Sequence, residues 1–448
     1  MSKDIRIRKG VDIKLKGRAE KVYAQVPASE TYMLKPTDFH GLTPKLTVKE
    51  GEEVKAGTCL FYDKYNEKVR FTSPVSGEVV EIVRGEKRKV LGVKILADKE
   101  TSYQQFDVNP SMGRDQIIDA LCEAGLWPMV KTRPFDVISN PEDKPKAIFI
   151  SAFDSAPLAA DNDFILHGLE DEFQQGLDII TKLTEGVTHL NVDGKTNPSP
   201  VFSNAKGVQI NKISGPHPAG NVGVQIHHMD PLNKGEVIWT LTPQDVLTIG
   251  RFFKTGQYDA SRIVALAGSM VLKPKYYRVT AGCQVNHMLS NNLEEGKPRV
   301  ISGNVLTGTH ISTDGYLGYY DNLITVIPEG DEAEFMGWLA PGFGKFSLSR
   351  TFWSWLNPGK EYELTANLHG EERAYVMTGQ YEKVFPFDIY PVQLVKACLM
   401  EDVEALEQLG IYEVSHEDFA LCEFVCTSKV NVQDIVRDGL DLVKKECS

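Results

Sequence analysis

Between Tyr375 and Thr427 the chain carries the spacing of a metal-cluster module with most of its ligands replaced. Short cluster-binding loops use a C-x₂-C-x₂-C-x₃-C-P run, in which each thiolate reaches an iron from one turn of backbone. Counted back from Cys426, that spacing falls on His416, Phe419, Cys422 and Cys426, with Thr427 in place of the proline. Counted back from Pro386, it falls on Tyr375, Thr378, Tyr381 and Phe385, with Gly379 where such a loop turns. Six of the eight positions hold no sulfur, so neither run can be filled by thiolates. Two such runs joined by a helical stretch, Pro391–Leu409, predict a module kept for shape rather than for redox chemistry. The competing reading is an ordinary helical tail.

Other residues that could do chemistry are weaker. A phosphate site needs glycines that let backbone N–H groups approach the ligand at a helix N-terminus. No G-x-G-x-x-G follows the predicted strand at Ile148, and no glycine occurs from Leu126 to His167. The loop Gly215-Pro-His-Pro-Ala-Gly220 has glycines, but its two prolines remove donors. Gly342-Phe-Gly-Lys345 lacks the earlier glycine of a P-loop. His217, His227 and His228 match no zinc spacing, and the adjacent pair is read as strand residues pointing to opposite faces. Asp63-Lys64 looks like a swinging-arm lysine on a hairpin tip. Its separation from Pro74 is two residues too long, and Tyr65 stands where those carriers have alanine.

The elements that must position these residues follow from patterning. At 448 residues the chain is long enough for several cores. The segments Leu46–Gly57 and Thr72–Ile82 alternate apolar and polar residues, with Gly51, Gly57 and Gly77 at the turns, and resemble a biotinyl/lipoyl-like barrel sandwich over residues 1–102. From 103 to 256, strands alternate with helices. The spacing predicts a helix within Gly113–Gly125, a buried strand Ala147–Ala152, a helix Glu170–Leu183 and strands Thr188–Val192 and Glu236–Leu241. A helix from Pro243 to Thr255 has Thr242 as its cap and Pro243 at its first position. This is a Rossmann-like α/β pattern. From 257 to 330, strands Arg262–Gly268, Tyr276–Val279, Arg299–Gly303 and Leu323–Ile327 resemble a ligand-binding β-grasp (SLBB) domain. A β-rich continuation is expected over 331–370, with a strand at Glu361–Leu364, and a helical, ferredoxin-like domain without cluster ligands over 371–448.

A net charge of −12 argues against nucleic acid and against unaided binding to an anionic bilayer. The charge is uneven. Met1–Glu30 holds eight Lys/Arg against four Asp/Glu, and Ala397–Ser448 four against twelve, which suggests docking surfaces at both ends. No apolar stretch approaches the roughly 20 residues of a membrane span. Seven scattered cysteines suit a reducing compartment.

The order barrel sandwich, α/β domain, β-grasp, helical tail resembles the RnfC component of the Rnf electron-transport complex and the NADH- and flavin-binding subunit of complex I. It is most similar to the NqrA family of the Na⁺-translocating NADH:quinone oxidoreductases. The matching segments run nearly end to end: Phe71–Gly77, Arg84–Arg88, Gly125–Trp127, Thr132–Phe135, Pro157–Ala160, Gly215–Gly220, Ile301–Gly308 and Tyr381–Val384. The resemblance implies NADH oxidation, quinone reduction and sodium export by the whole complex. It implies that flavins and iron–sulfur centres belong to partner subunits, with no cofactor, metal or catalytic residue in this chain. It further implies a peripheral place at the cytoplasmic face of the bacterial inner membrane, held by partner subunits, chiefly the membrane subunit NqrB. A second possibility is direct contact with ubiquinone or menaquinone. A quinone headgroup wants a flat apolar slot with one or two donors, and Trp127, Arg133 and Phe135 supply that chemistry within nine residues. The alternative places Trp127 and Phe135 in the core and Arg133 in a surface ion pair. A stand-alone metal or lipoyl-type carrier is the third reading.

Overall fold

The computed structural model describes residues 2–331, 334–337 and 339–447. The central element is a seven-stranded sheet in the order Asp4–Arg6, Gln209–Ser214, Val187–Asp193, Ala147–Ser151, Ile238–Leu241, Lys131–Arg133, Val137–Ile138. The first five strands are parallel. Ala147–Ser151 lies between Val187–Asp193 and Ile238–Leu241, and its run Ala-Ile-Phe-Ile is buried throughout, as a strand covered on both faces requires. Chain order runs outward on one side of this strand and resumes on the other, so the crevice above its carboxyl end is a topological switch point. Lys131–Arg133 then joins antiparallel to Ile238–Leu241 and closes that side.

Helices Glu170–Ile180 and Pro243–Thr255 pack together on the sheet, and the reason is glycine. A Cβ on Gly176 would stand 2.0 Å from the Val246 carbonyl oxygen, and one on Gly250 would stand 2.0 Å from that of Glu172. The predicted helix Pro243–Thr255 forms over those residues, capped by Thr242 and ended by Gly256 at φ 67°.

The N-terminal unit is a barrel sandwich of a four-stranded sheet (Thr31–Leu34, Val90–Ala97, Gly77–Arg84, Glu53–Val54) and a three-stranded one (Pro44–Leu46, Cys59–Asp63, Asn66–Thr72). Lys64 and Tyr65 form an exposed hairpin tip. The first strands do not stay with this unit. Asp4–Arg6 edges the parallel sheet, and Glu20–Ala24 edges the β-grasp sheet of Ser261–Ala267, Lys275–Thr280, Pro298–Ser302, Thr309–Ile311 and Leu323–Pro328.

Two expectations are corrected. Residues 331–370 are not strand-rich among the described residues: Glu361–Leu364 offers a single bridge, Leu15 to Tyr362, and the regular element is the short 3₁₀ turn Trp353–Leu356. Residues 332, 333 and 338 of that stretch lie outside the described residues. His227 and His228 sit on a helix, Val222–Met229, because the run Val-Gly-Val-Gln-Ile sustains a buried helical face that the two-residue strand argument overlooked. The tail consists of Tyr381–Val384, Pro391–Leu399, Val403–Gln408, Ala420–Phe424 and Val432–Cys447. Buried apolar side chains of all these units join into one continuous core.

Candidate functional site

A cavity of about 240 Å³ opens above the carboxyl ends of Ala147–Ser151 and Ile238–Leu241. Its walls include Lys131, Arg133 and Asp136 from the closing strand and its turn, Asn221 at the start of helix Val222–Met229, Tyr320 from the β-grasp unit and Glu417 from the tail. Three units therefore meet at one point.

Arg133 is the centre of its electrostatics. The side chain is 4% exposed, donates through Nη2 to Glu417 Oε1, and lies 3.6 Å from Asp136 and 3.7 Å from Asp418. Its Nε and Nη1 have no hydrogen-bond partner. Burial works against the guanidinium charge, but Asp136, Glu417 and Asp418 outweigh it and hold its pKa above the ordinary arginine value. Burial also works against the Asp136 charge; there Lys131, at 3.2 Å, and Arg133 win, and the carboxyl is held well below its usual range. Asp418 goes the other way. Burial pushes it up to about 6 despite the pull of Arg133. It survives there because Ser415 donates to it through N–H and Oγ and because it lies at the first turn of helix Val222–Met229, where a Cβ on Gly223 would come within 2.6 Å of its Oδ2.

The Gly215–Gly220 loop joins strand Gln209–Ser214 to helix Val222–Met229, the place where a phosphate would be cradled. The amide donors from His217 to Asn221 are already spent. The His217 N–H bonds Asp12, Ala219 bonds the Pro216 carbonyl, Gly220 bonds Ser155 Oγ and Asn221 bonds the Pro218 carbonyl. Pro216 and Pro218 have none to give. Ser155 Oγ lies 3.0 Å from His217 Nδ1, but the Asp12 carboxylate accepts from the histidine's amide, so the trio fastens the loop and does not form a nucleophile relay. Burial holds His217 down to about 4, against the pull of Asp12, so its ring is neutral.

The three residues expected at a quinone slot are not brought together. Trp127 is fully buried; its indole N–H donates to the Ser139 carbonyl at 2.8 Å and its ring meets Trp239 edge-on. Phe135 is half-buried against Tyr412, and its carbonyl accepts from Arg437. Arg133 lines the cavity and is buried in a carboxylate cluster, not placed on the surface. No local signal announces Glu417 and Asp418 as its partners, since they lie 284 and 285 residues along the chain.

In the tail, six of the eight run positions pack against one another in two groups. The Tyr375 and Tyr381 rings are 6.0 Å apart; burial raises both phenol pKa values, the Cys426 thiol raises both further, and Cys422 adds to the rise at Tyr375. Phe385 packs on Phe419 at 4.7 Å. Phe385, Phe419, Cys422 and Cys426 are all buried. Rings occupy the volume and two thiols are all the sulfur there is, so these residues do not fit an iron–sulfur cluster. Among the described residues no three His, Cys, Asp or Glu side chains are grouped to hold a metal ion, and no helix is long and apolar enough to cross a membrane.

Fold and site together define a multidomain mixed α/β protein in which a barrel sandwich, a parallel-sheet unit, a β-grasp sheet and a helical tail share one core. Residues 112–258 match the family described as "NqrA second alpha/beta domain", 5–98 the "NqrA N-terminal barrel-sandwich hybrid domain", and 263–313 the "NQRA C-terminal domain". The chain is 40% identical to the A subunit of the Na(+)-translocating NADH-quinone reductase of Rhodopirellula baltica, covering 98% of each, and 38% identical to that of Hahella chejuensis, covering 99% of this chain and all of the other. It therefore belongs to the NqrA family of the Na(+)-translocating NADH-quinone reductases. Among solved structures, an NAD⁺-reducing [NiFe]-hydrogenase in the H₂-reduced state aligns over 75% of this chain and 62% of its own, with a TM-score of 0.41 and 10% identity.

Proposed function

We propose that this chain is a cofactor-free peripheral subunit of a Na⁺-pumping NADH:quinone oxidoreductase. It supports quinone reduction and sodium export by docking on the membrane subunits, chiefly NqrB, at the cytoplasmic face. The reading rests on end-to-end similarity to NqrA proteins. One observation carries the cofactor-free part: the amide donors from His217 to Asn221 are bonded within the protein, where a Rossmann-like nucleotide site would need them free. In the tail, a ferredoxin-like layout without ligands is supported by the crossed meeting of its two runs. Tyr375 and Tyr381 of one run lie beside Cys426 of the other, and Phe385 lies on Phe419. Crossing of this kind is how the fourth ligand of each run serves the other cluster. The test is the absorption spectrum and metal content of the purified chain. A colourless, folded protein is expected. Stoichiometric flavin or iron would overturn the reading.

A quinone contact in this chain is a second reading, favoured by the unpartnered Nε and Nη1 of Arg133 beside the cavity. Of Trp127, Arg133 and Phe135, Arg133 is the residue able to offer a donor there. Titration of the purified chain with a soluble ubiquinone analogue tests it, and binding unchanged by Arg133→Gln rejects it.

A further inference from the structure

We infer that residues 340–360, together with the adjoining N-terminal stretch around Lys14, form the surface by which this chain docks on the membrane-embedded partner. The inference deepens the docking proposed above and rests on it. Within this segment Phe343, Trp353 and Leu356 are 56%, 57% and 60% exposed, and Trp355 is nearly half exposed. Isolated exposed apolar residues need no explanation, but four large ones within fourteen residues do. They are not loose. Phe346, on the inner side, packs on Tyr362 and on Phe424 of the tail. Trp353 N–H bonds the Pro341 carbonyl, Thr351 N–H bonds Ser347 Oγ, and the buried Ser354 hydroxyl bonds the Lys345 carbonyl. The backbone thus presents the aromatic side chains outward in a fixed arrangement, which lowers the ordering cost of association.

Charge says what covers them. Residues 340–360 contain no Asp or Glu, in a chain of net charge −12; Lys345 is paired with Glu334, which leaves Arg350 and Lys360 as the segment's positive charge. Arg350 lies over the Trp355 ring at 5.7 Å. The basic N-terminal stretch runs alongside: Lys14 Nζ donates to the Pro358 carbonyl, and Leu15 bridges to Tyr362. Tryptophan and arginine at the centre of an exposed apolar patch are the composition of an interface hot spot. The partner surface that fits is an apolar groove rimmed by carboxylates. A bilayer fits less well, because the chain's overall negative charge opposes accumulation at anionic lipid.

The test uses the full complex. Wild type, Trp353→Ser/Trp355→Ser, Arg350→Glu and the remote control Tyr65→Ser are each expressed with the membrane partners. The fraction retained on the detergent-solubilised partners is then measured. Retention should fall about tenfold or more for the double variant, less for Arg350→Glu, and not at all for Tyr65→Ser. Arg350→Glu changes one exposed side chain and keeps the test open if the double variant folds poorly. Wild-type-like retention of Arg350→Glu and of a folded double variant would reject this surface while leaving docking intact. A wild-type chain that never associates with the partners would reject docking itself. Two further results would overturn the assignment: tryptophan-dependent binding of the isolated chain to phosphatidylglycerol vesicles, or a tryptophan-dependent homodimer in sedimentation.

Discussion

Arg133 behaves as a buried countercharge, and its removal should show that in stability. Arg133→Ala leaves Asp418 buried beside Glu417 without a cation and Asp136 with Lys131 alone. Breaking a buried pair in this way costs about 3–5 kcal/mol, so the melting temperature should drop by several degrees. Part of that loss should return when Glu417 is changed to Gln in the same chain, because one orphaned carboxylate is then removed. Additive loss in the double variant would sink the account. Trp127→Ala should cost about 3–5 kcal/mol as a cavity mutation, with the Ser139 carbonyl left unbonded as well. Thermal melts read both. The sequence marked Trp127, Arg133 and Phe135 for their chemistry, and the structure buries Trp127 in the core and leaves Arg133 alone of the three lining the cavity. The sequence could not show that Arg133 is sealed by carboxylates from the tail, because charge pairing over nearly three hundred residues leaves no periodic or local trace.

At the scale of elements, the helix Pro243–Thr255 shows both what patterning can read and what it cannot. Its start is written in Thr242-Pro-Gln-Asp245: the threonine hydroxyl accepts from the Asp245 N–H, and the aspartate accepts in return from the Thr242 N–H and hydroxyl. Thr242→Ala should therefore cost about 1–2 kcal/mol. Asp245 also holds Arg262 at 2.6 Å, a pairing no capping rule would predict. Its partner helix is set by close approach. Ala is a better helix former than Gly by about 1 kcal/mol, so propensity alone would make Gly250→Ala stabilising. The Glu172 carbonyl 2.0 Å from the added Cβ reverses the sign, since backbone on an adjacent packed helix cannot step aside cheaply. A loss of about 1–3 kcal/mol or more is expected; a rise in melting temperature would show that the helices can part. The three-residue strand Asp4–Arg6 was invisible in sequence for a related reason. It is too short to show a period, and it pairs with Gln209–Ser214, some two hundred residues away.

For the whole molecule, the buried titratable groups predict that stability rises with pH just below neutrality. His189 and His217 are both held down to about 4, chiefly by burial. His189 faces Asp230, which pulls its pKa up, and Lys3, which pushes it down; His217 faces Asp12, which pulls it up. An unfolded chain takes up protons on these rings near the ordinary value of about 6.5, while the folded chain does not until near 4. More protons on the unfolded state means that stability falls as pH falls through this window. Between about pH 7.5 and 6 the two rings together should remove about 1–2 kcal/mol. Asp418 has the opposite sign. Its folded value, about 6, lies above that of an unfolded aspartate, so its stabilising contribution is full only below about pH 4 and is lost as pH rises through 6. Above about pH 6 it is mostly ionised and the histidines govern; below that it offsets part of their loss, and the profile should flatten. His217→Asn keeps an acceptor for the Ser155 hydroxyl at the Nδ1 position and removes one titrating ring. Denaturant melts from pH 6 to 7.5 should give this variant a shallower slope than wild type, by the share of one ring. An unchanged slope would mean that the loop opens to water before His217 takes up a proton, and that the fastening of Gly215–Gly220 over the switch point is weaker than its hydrogen bonds imply.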